Sequence, residues 1–114
     1  MTILLEKSGG KSVIRLAGAV TIASAAELKT ALLEAVASNV DILISLEEVT
    51  EVDVSILQLI VASARDANLS GQELTSAAPT PPVVSQAVQS AGLAPFWISA
   101  AAEAAAQVVL IGGV

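Results

Sequence analysis

The chain contains no cysteine and no histidine. Those two absences remove thiolate and imidazole chemistry, and with them structural zinc, thiol redox and any Ser-His or Cys-His catalytic pair. Aromatic residues make up only 2% of the sequence, with one Trp, one Phe and no Tyr, so stacking platforms for nucleic-acid bases are missing. Positive charge is equally scarce. Five Lys and Arg face 11 Asp and Glu, a formal net charge of −6, which argues against nucleic acid and anionic membrane as partners, because both demand clustered cations. Long hydrophobic runs are lacking too. Charges, Pro and Gly interrupt every apolar stretch well short of the roughly 20 residues that a bilayer span needs, so no direct membrane insertion is expected. The N-terminus has no basic region followed by a long apolar stretch, and the expected location is the cytoplasm.

What is present is a chain of 114 residues that is 54% hydrophobic, enough for one core built from Leu, Ile, Val and Ala. One domain implies one principal site. Its place is suggested by the stretch 47–65, where an acidic segment, Glu47-Glu48-Val49-Thr50-Glu51, leads through Asp53 into apolar residues at helical spacing. A strand, a loop and a helix N-terminus in that order aim backbone N–H groups and the positive end of a helix dipole at one spot, which here carries Ser55.

The remaining elements read in order. Residues 3–5 and 12–17 form a hairpin about the turn Lys7-Ser8-Gly9-Gly10-Lys11, with Gly18 and Ala19 ending the second arm. A helix of roughly four turns starts near Ala23, with Thr21 or Ser24 as N-cap, and stops at Ser38-Asn39. Val40–Leu46 is the most strand-like run and belongs at the sheet centre. In the second helix, from about Val54 to Asn68, Ile56, Leu57, Ile60, Val61 and Ala64 form the buried stripe. Ser55, Gln58, Leu59, Ala62, Arg65, Asp66 and Leu69 fall on the other side. Gly71 closes the helix in a left-handed conformation, and 73–77 is a short strand. A proline turn at 79–82 introduces a third helix over 83–91, with Pro81 or Pro82 at its start and Gly92 at its end. Leu93 to Ile98 is a brief extended segment, 100–107 a helix by alanine content, and 108–114 an apolar tail that either packs on the domain or is covered by another chain.

Three local features carry a family resemblance: Leu16-Ala17-Gly18 before the first helix; Asp41–Leu46 followed by Val52-Asp53-Val54-Ser55-Ile56-Leu57; and Gly71-Gln72-Glu73-Leu74 with Ala91-Gly92-Leu93 downstream. Their order and spacing resemble the STAS domain, the family of anti-sigma factor antagonists and related partner-switching proteins. The resemblance covers residues 1–107 as the domain and leaves 108–114 as the tail. It implies a single α/β domain with a mixed four- to five-stranded sheet and helices packed mainly on one face. It also implies a scaffold that docks a protein partner, such as a serine kinase, an anti-sigma factor or a chemosensory component, through the loop and N-terminus of the second helix.

In the family a kinase phosphorylates a Ser or Thr directly after an Asp. Asp53 matches that Asp, but Val54 follows it, and Ile56 stands where a Gly is common. Ser55, one residue on, and Thr50, in the preceding segment, are the remaining phosphorylation candidates. A phosphate there would add about −1.5 to −2 charge near a helix N-terminus. The plainer reading of Ser55 is a first-turn serine, and that of Asp53 an N-cap whose carboxylate accepts helix N–H groups. Asp53, Val54, Ser55, Gln58, Leu59, Ala62 and Arg65 form the candidate partner-binding set.

No catalytic constellation, metal site or cofactor is expected. The acids at 47, 48 and 51 read as a solvated turn, without the ligand alternation of a calcium loop. The main expectation is a non-enzymatic signalling adaptor. The alternative is a constitutive subunit of a larger assembly, such as an ABC-type lipid transporter, to which loss of the acceptor at 54 is suited. Self-association is compatible with either.

Overall fold

The structure, a computed structural model, describes residues 2–77 and 80–98. Two antiparallel strands, β1 (Thr2–Ser8) and β2 (Lys11–Val20), pair from Thr2↔Ala17 to Ser8↔Lys11. Only Gly9 and Gly10 remain in the turn, at φ 59° and 78°. Both lie in the left-handed region that a two-residue hairpin turn requires and that glycine enters without a Cβ clash. A 3-10 turn (Ile22–Ser24) leads into α1 (Ala25–Ala37), followed by β3 (Ile42–Val52), α2 (Val54–Leu69), β4 (Leu74–Ser76), α3 (Pro82–Ser90) and a second 3-10 turn (Ala94–Phe96). The sheet order is β1-β2-β3-β4, with β2, β3 and β4 mutually parallel. Helices α1 and α2 are the crossovers that parallel neighbours require.

Alternation along the strands sets the core on one face of the sheet. Ile14 and Leu16 of β2 and Ile42, Ile44 and Leu46 of β3 are buried every second residue. They share a single cluster with Leu28, Leu32 and Ala35 of α1, Ile56, Leu57 and Ile60 of α2, and Val84 and Val88 of α3. The expected mixed sheet with helices on one face is what forms, with four strands among the described residues.

The largest departure from expectation is in β3. Glu47 to Val52 are not a turn; they continue the strand, and β2 runs on beside them to Val20 instead of ending at Gly18. The pairing slips twice, between Arg15↔Ser45 and Ala17↔Glu48 and again between Gly18↔Val49 and Ala19↔Glu51. Each slip gives β3 one extra residue, a β-bulge. The inward positions therefore change from every second residue to every third: Leu46 and Val49 are buried and Val52 half-buried, while the pairs Glu47-Glu48 and Thr50-Glu51 between them are exposed. Gly18, at the second slip, has φ 80°.

The helix ends are closed by the backbone. After α2, Gly71 N–H donates to Asn68 O and Gln72 N–H to Ala67 O, with Gly71 at φ 77°, the paired bonds of a Schellman motif. Gln72 then turns inward. Its Nε2 donates to Val40 O at 2.7 Å and to Ala35 O at 3.4 Å, tying the end of α2 to the end of α1. Beside it, Glu73 N–H donates to Asp41 Oδ1.

Pro82 opens α3, as its fixed φ permits. Leu93 to Ile98, expected to be extended, instead forms the 3-10 turn before straightening at Trp97. Pro95 suits its first turn, because an N–H is dispensable there. Ile98 O accepts from both the N–H and the Oγ–H of Ser76, at 3.1 and 2.8 Å, fastening this segment to β4. The expected helix over 100–107 and the apolar tail from 108 lie outside the described residues.

Candidate functional site

The second bulge of β3 delivers the chain to Asp53, whose extended backbone (ψ 153°) occupies the N-cap position of α2. Its N–H donates to Val20 O, closing the β2–β3 pairing, and its carbonyl accepts from Ile56 and Leu57 at the start of the helix. The carboxylate does something the sequence did not suggest. It makes no cap bond to α2; Oδ2 accepts the backbone N–H of Ile22 at 2.8 Å, 31 positions away. Ile22 is the first residue of the 3-10 turn before α1, and neither Thr21 nor Ser24 caps that entry with its own side chain. Asp53 thus supplies the acceptor that those two residues were expected to provide, because two parallel crossovers place both helix entries at the same end of the sheet.

Around this tie the candidate residues separate into three groups. Val54, directly after Asp53, is 48% exposed, and with Gln58 and Ala62 it starts an exposed stripe that continues through Arg65 and Asp66 to Leu69. Ser55 and Leu59 lie to one side of that stripe. Leu59 is half-buried against the core, so its assignment to the outward side is corrected. The Ser55 Oγ is enclosed and without a hydrogen-bond partner among the described residues, whereas Thr50, on the bulged end of β3, is exposed. Arg65, on the same stripe, also reaches a second neighbourhood: with Asp41, Val61, Glu73, Leu74 and Trp97 it lines an open cleft of about 820 Å³ beside β4.

Ile22 was missed altogether. It is 68% exposed next to the Asp53 tie, but a single Ile among Thr, Ala and Ser presents no periodicity from which to read a role. Glu47, Glu48 and Glu51 are exposed as expected, though as strand residues. Among the described residues no three His, Cys, Asp or Glu side chains gather to hold a metal ion. No helix there is long and apolar enough to cross a membrane.

A four-stranded mixed sheet, two parallel crossovers and a paired helix entry at the strand ends define a small α/β domain among the described residues. The sequence agrees over nearly its whole length: the family described as "Mlab, STAS domain" matches residues 3–109. The chain belongs to the STAS domain family. Among curated proteins no match is found. Solved structures are similar at low identity. The anti-sigma factor antagonist SpoIIAA in its unphosphorylated form is 20% identical with a TM-score of 0.70, over 99% of this chain and 98% of that one. The Bacillus cell fate determinant SpoIIAA in its phosphorylated form is 21% identical with a TM-score of 0.65, over 95% and 99%. A putative anti-sigma factor antagonist from Thermotoga maritima is 18% identical with a TM-score of 0.69, over 93% of each chain.

Proposed function

We propose that this chain is a non-enzymatic protein-docking domain that engages its partner through the β3–α2 junction and the outward stripe of α2. The observation that carries the reading is the junction itself: Asp53 binds the α1 entry turn to the α2 entry and leaves Val54, Gln58 and Ala62 exposed on one continuous line. A line with apolar and polar members suits a reversible interface. A surface that interacts through preformed backbone needs no titrating or nucleophilic group, in keeping with a sequence that has neither Cys nor His. By analogy with the anti-sigma factor antagonists that share the fold, the partner class is a serine kinase, an anti-sigma factor or a comparable signalling protein.

Phosphate control of this docking would act at Thr50, which is exposed, or at Ser55, whose hydroxyl is reached only if the first turn of α2 opens. That enclosure and the absence of a hydroxyl at Val54 favour a second reading, a constitutive STAS subunit of a larger assembly such as an ABC-type lipid transporter. A permanent interface requires no switch. Phosphopeptide mass spectrometry of the chain isolated from its own cell separates the two. Phosphate on Thr50 or Ser55 supports a switch. A stoichiometric complex recovered with both residues unmodified supports the constitutive subunit.

A further inference from the structure

Ile22 and Val54 come from different crossovers, 32 positions apart in sequence, yet each flanks Asp53 in space: Val54 through the chain, Ile22 through the hydrogen bond to its N–H. Both are apolar and open to solvent, at 68% and 48% exposure. The bond fixes the backbone at Ile22 against the residue that precedes Val54, so the two exposed residues are held at the same end of the sheet. Exposed acids are close by in sequence, Glu27 in the first turn of α1, five residues after Ile22, and Glu51, three residues before Val54. Cations are mostly elsewhere. Lys7 and Lys11 flank the hairpin at the opposite end of β2, Arg15 is paired with Glu6, and Arg65 lines the cleft beside β4. Lys29, one turn into α1, is the exception.

We infer that Ile22 and Val54 form a two-part apolar knob, held in register by Asp53, that seats in a socket of a different protein whose rim carries Lys or Arg. The inference rests on the docking reading above and sharpens it by adding Ile22, which lies outside the 47–65 stretch, and by naming the partner's chemistry. A second copy of this chain is the wrong occupant. A self-matching contact through this face would set Glu27 and Glu51 against their own equivalents, and like charges across an interface are repulsive. Apolar anchors ringed by charge give affinity at the centre and selection of partner at the rim. Asp53 is a positioning residue in this arrangement. It contacts Ile22, and its effect on binding passes through the knob.

The test places a photo-crosslinking amino acid at position 22, 54, 58 or 62 of the full chain in its own cell, with Leu33, an exposed α1 residue, as the control position. Adducts are identified by mass spectrometry. Positions 22 and 54 are expected to capture one and the same protein at a surface bearing Lys or Arg, and position 33 to capture none of it. With that protein purified, Ile22→Ser is expected to weaken binding by about tenfold or more, as for a central apolar anchor. Asp53→Ala should weaken it similarly, while Asp53→Asn, which keeps an acceptor for the Ile22 N–H, retains most of the affinity. Capture from 54, 58 or 62 but not from 22 leaves docking at the junction standing and overturns the two-part knob. Capture of a second copy, or of different proteins from 22 and 54, overturns it as well. No adduct from any of the four positions overturns both readings.

Discussion

At the scale of single residues, the stability of the helix entries and exits depends on a few side chains that reach across the fold. Asp53 is the clearest case, since its carboxylate serves the backbone of Ile22 and not its own helix. Replacing it with Ala removes a charge-assisted bond at a half-exposed position, and chemical denaturation should register a loss of about 1 kcal/mol, with Asp53→Asn recovering most of it. Gln72 is more deeply placed, 4% exposed, with Nε2 on two carbonyls and Oε1 without a partner among the described residues. Gln72→Ala leaves Val40 O without its Nε2 donor, whereas Ala35 O keeps the N–H and Oγ–H of Ser38. An unfolding free energy lower by about 1–2 kcal/mol is expected, as for one buried acceptor stripped of its partner. Neither role was legible in sequence, because a hydrogen bond between positions 30 or more apart leaves no local spacing. Asp53 stood at the right position for an N-cap, and only the neighbouring crossover redirected its side chain.

The elements themselves were legible wherever one face alone is buried. The stripe Ile56, Leu57, Ile60 marked α2 to within a residue or so at each end, and Gly71, Gly92 and Pro82 marked helix limits because their backbone preferences are local. β3 was legible only as far as Leu46. Beyond it the apolar residues Leu46, Val49 and Val52 come every third position, which fits neither the period of a strand nor that of a helix, and the acids between them read as a turn. Two bulges account for that spacing by inserting one residue each, and a bulge has no sequence period of its own. The second slip requires Gly18 at φ 80°, a backbone conformation that side chains with a Cβ resist. Gly18→Val should therefore lower stability by at least about 1 kcal/mol, the cost of forcing a bulky residue into that region. Faster amide hydrogen exchange at Val20 and Asp53 than in the wild type should accompany it, since the affected pairing leads directly to them. Unchanged exchange there would mean that the bulge does not set the junction.

At the scale of the whole molecule, one apolar cluster supports the three described helices, so the proposed docking surface rests on the same core that holds the fold together. Ile60→Ala removes buried volume beneath the middle of α2 and should cost 2–5 kcal/mol in roughly the range of comparable core truncations. Partner affinity would fall only as far as the folded fraction does. Surface changes at the junction should behave in the opposite way. The fold class was readable from the sequence because it follows from burial patterns and from the order of elements. The place of Ile22 beside Asp53 was not, because it depends on which two loops the sheet brings side by side. The most direct test of docking at the junction is the dissociation constant for the identified partner, measured for the wild type, Val54→Asp and Leu33→Asp, with thermal unfolding as a check on folding. Docking at the junction predicts binding weakened by about tenfold or more for Val54→Asp, the order expected when charge replaces a buried apolar anchor, and wild-type binding for Leu33→Asp. Equal affinities for all three folded proteins would contradict it.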